Sequence, residues 1–162
     1  MNALPLKRGV VVWEPHCGDG SFVRALRGRG CLVIASDVEP ALEGASVCDF
    51  LALGAPSTPR AARPQWVVGN PPFAGALAHI RQALAHTGQH VVFVLRLGFL
   101  ASARRLPFWR ESPPRKVWVL PQRPSFTGGS TDSADYMVVW WDADWVKPTE
   151  FGWLDWKPSG GE

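Results

Sequence analysis

The sequence predicts a single α/β domain built on a mostly parallel sheet, and three observations carry that reading. Short apolar runs alternate with helix-like segments, the connections between them are brief, and the most unusual short sequences all fall at carboxyl ends of apolar runs. In open α/β sheets ligands bind at those ends, near the point where strand order reverses.

Each element follows in chain order. Val10-Val11-Val12-Trp13 is a continuous apolar run ending in Glu14, and a glycine-containing loop then leads into a helix-like Ser21 to Arg29. Gly28 and Gly30 break that helix before a second buried strand, Cys31 to Ala35, which ends at Asp37. A short third strand precedes Asp49, and Leu53 to Pro64, with Pro56, Pro59 and Pro64, is a connecting loop. Trp66-Val67-Val68 is the next strand, stopped by Gly69-Asn70-Pro71-Pro72, and Ala76 to His86 is an alanine- and leucine-rich helix. His90 to Leu97 is the plainest strand, with Lys116 to Leu120 and Tyr136 to Trp141 as two more. From Trp145 to Glu162 the chain reads as a tail rich in Trp, Pro and Gly.

Composition bounds the function. A chain of 162 residues, 46% hydrophobic and 19% charged, is the size of one domain spanning residues 1–162. Cys17, Cys31 and Cys48 form no Cys-x-x-Cys pair and leave an odd thiol, which argues against a disulfide framework or a zinc knuckle and for a reducing, cytoplasmic compartment. No apolar run approaches the roughly 20 residues of a membrane helix, so no membrane partner is expected. The net charge of +3 is modest, but Arg96, Arg104, Arg105, Arg110, Arg115, Lys116 and Arg123 face a single acid, Glu111, within their stretch. Such a stretch is either a solvated face or a polyanion site. His16, His79, His86 and His90 show no metal spacing with the cysteines, and no Gly-x-Ser-x-Gly elbow exists for hydrolysis. His79 and His86, one heptad apart, read as surface or packing residues.

In Glu14-Pro15-His16-Cys17-Gly18-Asp19-Gly20 two glycines stand where a strand must turn sharply into a helix and let a ligand approach the backbone. Val23 occupies the third glycine position of a dinucleotide fingerprint, and the phosphate-cradling Gly-Lys-Ser/Thr loop is absent. Asp37, seventeen positions after Gly20, can accept hydrogen bonds from ribose hydroxyls, while Glu14 and Asp19 place negative charge beside a cationic cofactor. S-adenosyl-L-methionine fits that description, with Asp49 receiving the adenine amino group and Phe50 beside the ring. The plain alternative is a loop that only closes a turn, with Asp37 capping a helix at Pro40.

Asn70-Pro71-Pro72-Phe73 adds a second element. Two prolines after a buried strand stop the ladder and fix the backbone, so the Asn70 side-chain oxygen and the Pro71 carbonyl become preset acceptors for both hydrogens of an exocyclic amine. Positioning then suffices for catalysis, and Phe73 can stack on a base. An Asn-Pro-Pro segment can also be no more than a turn.

With these residues in place the sequence resembles the class I S-adenosylmethionine-dependent methyltransferases, specifically the amino methyltransferases that modify adenine at N6 in DNA. The resemblance rests on Glu14 to Gly20, Asp37, Cys48-Asp49-Phe50 and Asn70 to Phe73, in family order. It implies a three-layer Rossmann-like sheet of about seven strands with an antiparallel last strand, a role for Tyr136 to Trp141. Cofactor contacts from Glu14, Gly18, Gly20, Asp37 and Asp49 are implied, with catalysis by Asn70 and Phe73. Residues Pro121 to Ser133 resemble the late loop of small phage and prophage adenine methyltransferases, where Arg123, Ser125, Phe126 and Thr127 would border the base pocket. Phe126 either stacks on an extruded base or packs inward. A bacterial or phage origin is implied by this resemblance alone.

Two departures qualify the implied activity. Fewer than ten residues precede the first strand, so the segment that closes over the cofactor is reduced to Asn2 to Leu6, and a homodimer or partner subunit is one way to complete the site. Only Phe99 to Arg115 and Gln122 to Asp135 are available to read sequence, which predicts relaxed or very short specificity. The rival readings are the same chemistry on an RNA base or a protein glutamine, and a non-catalytic binding subunit that keeps the fold.

Overall fold

The computed structural model describes residues 3–124 and 134–155. Its strands are β1 (Val11–Glu14), β2 (Leu32–Asp37), β3 (Ser46–Val47), β4 (Trp66–Gly69), β5 (His90–Arg96), β6 (Lys116–Val119), β7 (Tyr136–Asp142) and β8 (Glu150–Trp153), and its α-helices are α1 (Ser21–Gly28), α2 (Ala76–His86) and α3 (Leu106–Glu111). All eight strands join one sheet in the order β3-β2-β1-β4-β5-β7-β6-β8, in which only β7 runs antiparallel to its neighbours. The chain leaves β1 toward β2 and β3, then returns to lay β4 on the other side of β1. That reversal sets the carboxyl ends of β1 and β4 side by side, with Glu14 and Asn70 at their tips.

Layering explains why β4 and β5 read as unbroken apolar runs. Val67, Val91, Phe93 and Leu95 pack under α2 and α3 with Ile80, Ala83, Phe108 and Trp141. On the opposite face Val12, Trp66, Val68 and Val92 pack with Leu26 of α1 and with Leu4, Trp118 and Trp140. Each fully buried large side chain contributes about 1.5–3 kcal/mol, so the paired clusters supply the core that the composition promised. Leu4 belongs to this core, so the segment before β1 is used in packing under the sheet.

Two elements go beyond the sequence reading. Glu150-Phe151-Gly152-Trp153, within the expected tail, is an eighth strand, paired parallel to β6 with Lys116 opposite Glu150. Their side chains form a 3.0 Å ion pair. The run is too short to declare itself, and the free edge of β6 organises it. Helix α3, inside the expected loop, starts with Leu106-Pro107, a proline placement that helices tolerate, and buries Phe108.

At the end of the sheet away from Asn70, the Arg115 Nη1 donates to Asp142 at 2.7 Å, with the guanidinium 4.1 Å from the Trp140 ring centroid. Asp142 is nearly buried, so Asp142→Ala strands a half-buried guanidinium and should cost about 2–4 kcal/mol in urea unfolding. Ligand binding at the far end of the sheet should be unchanged, and a parallel loss of binding would show that the two ends are coupled.

Candidate active site

The glycine loop is held by β2. Gly18 and Gly20 have φ of +48° and +85°, and the Gly18 N–H donates to the Asp37 Oδ2 at 2.9 Å. Asp37 also accepts from the Glu39 N–H at 3.1 Å, so its carboxylate closes a turn rather than capping a helix at Pro40. A Cβ on Gly20 would meet the Leu42 side chain at 2.8 Å in a backbone region that costs an L-residue about 1–2 kcal/mol. Gly20→Ala should therefore melt several degrees lower, as read by circular dichroism, and bind cofactor more weakly by calorimetry.

Beyond the tips of β1, β2 and β4 lies a cleft of about 440 Å³, within the ~300–1,000 Å³ of small-molecule sites. Pro15, His16, Asp37, Asp49, Phe50, Asn70, Pro71, Pro72 and Phe73, expected from distant parts of the sequence, all line it. Glu14 stands behind them, 1% exposed. Cys17 packs inward with Val23 and Ala35, so only its backbone belongs to the loop's ligand-facing side. The Asp49 carboxylate accepts from the Leu51 N–H at 3.0 Å, starting the single 3-10 turn that buries Phe50.

Three buried polar atoms without a partner lie around Gly69: Glu14 Oε2, His16 Nδ1 and Asn70 Oδ1. His16 Nδ1 and Glu14 Cγ would lie 3.6 and 3.8 Å from a Cβ placed on that glycine, and Asn70 is the next residue. Buried polar atoms without partners cost about 1–3 kcal/mol each, and their concentration at one cleft marks where a ligand's polar groups belong. Burial pushes the Glu14 carboxyl up to about 8, with Asp19 and Asp37 adding to the effect.

His79 is the residue the sequence reading missed. It lines the cleft, is 8% exposed, and shares a 2.9 Å hydrogen bond with His16, sixty-three residues away. Its ring also stacks on Phe50, with centroids 6.2 Å apart. The signal was available: Ala76, His79, Ile80 and Ala83 form the buried stripe of α2. Burial lowers both rings, His16 to about 3, so the pair is neutral near pH 7.

The basic stretch is divided by the fold. Arg115, Lys116 and Arg123 are taken up in ion pairs with Asp142, Glu150 and Asp135. Arg123, expected at a phosphate, is 3.0 Å from Asp135, while Ser125, Phe126 and Thr127 lie outside the described residues. Among the described residues no cluster suits a metal ion, and no helix is long and apolar enough to cross a membrane.

No protein-family model matches the sequence, and no curated protein matches it. Solved structures do match the architecture. A modification subunit assigned to a type I restriction enzyme from Vibrio vulnificus YJ016 superposes with a TM-score of 0.68 at 15% identity, over 99% of this chain and 46% of that one. A Listeria monocytogenes protein classed with the class I S-adenosylmethionine-dependent methyltransferases gives 0.60 at 14% identity, over 92% and 60%. The chain has the class I methyltransferase fold. A dimethyladenosine transferase from Plasmodium falciparum gives 0.59 at 17% identity, over 86% of this chain and 57% of that one. The chain thus spans between 46% and 60% of the length of these three proteins. In a class I methyltransferase fold the strand order reverses between β1 and β4, where this cleft opens.

Proposed function

We propose that the chain is an S-adenosylmethionine-dependent methyltransferase acting on the 6-amino group of adenine in DNA, with relaxed or short sequence specificity. The observation that carries this reading is Asn70 Oδ1, buried without a partner on a proline-fixed loop at the mouth of a cleft that also holds Asp37 and Asp49.

The residues suit the cofactor by their chemistry. Glu14, buried without a partner at Oε2, and Asp19 offer negative charge to its cationic end, Asp37 faces its ribose, and Asp49 with Phe50 receives its adenine. When bound, the cofactor supplies an electrophilic methyl group. The protein's part is positional. Asn70 Oδ1 and the Pro71 carbonyl accept the two amino hydrogens of the target base, which turns the nitrogen lone pair out of the ring plane and toward the cofactor. Phe73, half-buried at the same loop, offers its ring to the extruded base. Adenine is favoured over a glutamine side chain because the cleft rim carries cations suited to a polyanion: the Arg96 guanidinium lies 4.4 Å from the Phe73 ring centroid.

The test is to incubate the parent and Asn70→Ala with S-adenosylmethionine and unmethylated DNA, alongside transcribed RNA, and to identify modified nucleosides by mass spectrometry. N6-methyladenine in DNA from the parent only is the expected result. Product confined to RNA would move the substrate and keep the mechanism, and no product on either would overturn the reading for the isolated chain.

A further inference from the structure

A second cleft, of about 330 Å³, shares Phe73 with the first as a common wall. Its other boundaries include Leu95, Arg96, Phe99 and Arg105, and no carboxylate lines it. The two arginines are arranged alike. Arg96 lies over the Phe73 ring and Arg105 over the Phe99 ring, each with the guanidinium carbon 4.4 Å from the centroid. Arg105 is held further by donating from Nε to the Phe99 carbonyl at 2.7 Å and from Nη2 to the Gly98 carbonyl at 3.2 Å.

A guanidinium laid against an aromatic ring keeps its charge and its in-plane donors while losing rotational freedom, so it is prepared for an oxyanion. Five N–H groups are available to an arginine, and Arg105 spends only two on carbonyls. A free anion would need one such group. Two of them, along an apolar cleft that begins at the proposed target loop, match a repeating anion joined by apolar sugar and base, which is a nucleic acid strand.

We propose that this second cleft seats the nucleotide next to the target base, with Arg96 and Arg105 holding its phosphodiester while Phe73 separates it from the cofactor cleft. The inference rests on the adenine methyltransferase reading above and names where that substrate's backbone runs. It also accounts for the basic stretch: Arg115, Lys116 and Arg123 serve the fold, and the arginines of Arg96 to Arg105 serve the strand.

The experiment is fluorescence anisotropy of a labelled, adenine-containing single-stranded DNA across a series of KCl concentrations, for the parent, Arg105→Gln, Arg105→Lys and Arg27→Gln on α1. Arg105→Gln should bind more weakly, and its plot of log affinity against log salt should be shallower by about 0.7, one phosphate contact. Arg105→Lys should restore most of that slope, and Arg27→Gln should match the parent. An unchanged slope in Arg105→Gln overturns the proposal, as does displacement of the strand by inorganic phosphate as effectively as by a short oligonucleotide, which would reveal a simple anion site. If Arg105→Gln loses its circular dichroism signature, Arg96→Gln is read against the same prediction. Cofactor binding by calorimetry is measured on each variant. Parent protein that binds no cofactor yet shows the Arg105 slope change refutes the methyltransferase reading and leaves the strand site standing.

Discussion

Asn70→Ala should lower kcat for methyl transfer by about 100- to 1,000-fold, the effect of removing one preset polar group from a developing charge. The fold should not suffer. Asn70 Oδ1 has no partner in the protein, so its removal breaks no internal hydrogen bond and relieves a buried unsatisfied atom, worth up to about 1 kcal/mol in stability. The combination is diagnostic: activity falls while the melting temperature holds or rises, and cofactor affinity by calorimetry stays close to the parent's. A variant that loses activity and melting temperature together would make Asn70 a structural residue of the β4 turn and remove the catalytic assignment.

The second large effect is expected at Glu14. Its carboxyl, pushed up to about 8 by burial and by Asp19 and Asp37, carries a proton at pH 7 in the free protein. Binding a cation next to it favours the charged form, so the proton must leave. Cofactor affinity should therefore climb with pH up to about 8 and level off above that value, with protons released to the buffer on binding. Calorimetry in two buffers of different ionisation enthalpy reads that proton directly. Glu14→Gln should flatten the pH profile and weaken binding by about 10- to 100-fold at high pH, the loss of a charge-assisted contact of about 1.5–3 kcal/mol.

The same residue makes a stability prediction of opposite sign. The folded chain holds the Glu14 proton more tightly than the unfolded chain, whose value is near 4.5, so the free protein loses stability as pH rises from 4.5 through about 8. Glu14→Gln should melt higher than the parent above pH 8 and close to it near pH 4, in thermal scans without cofactor. A variant that melts lower at every pH would show that Glu14 is structural rather than held in reserve for a ligand.

Much of the architecture was legible because its signals are local. Val91 to Leu95 reads as a strand covered on both faces since every position is apolar, and α2 carries its buried stripe at helical spacing. Gly18 and Gly20 announce a sharp loop because only glycine enters the left-handed region freely, and their φ values lie there. Asn70-Pro71-Pro72 announces itself because proline removes a donor and fixes the backbone. β8 escaped notice since four residues without an apolar run have no strand identity until β6 offers them an edge. His79 was misread as a surface or packing residue since nothing near it in sequence says that His16 lies 2.9 Å away.

The sequence by itself determined the α/β class, the order of its main strands, and the loop chemistry at Glu14 to Gly20 and Asn70 to Phe73, because covalent geometry and apolar periodicity act over a few residues. The tertiary structure alone decided which side chains share a space. It set Glu14, His16 and Asn70 around Gly69, joined His16 to His79, and tied Arg115, Lys116 and Arg123 to distant acids. It also opened a second cleft beyond Phe73. These are outcomes of strand order: the crossover that places β4 beside β1 and β7 between β5 and β6 brings together residues whose separation along the chain carries no trace of their proximity.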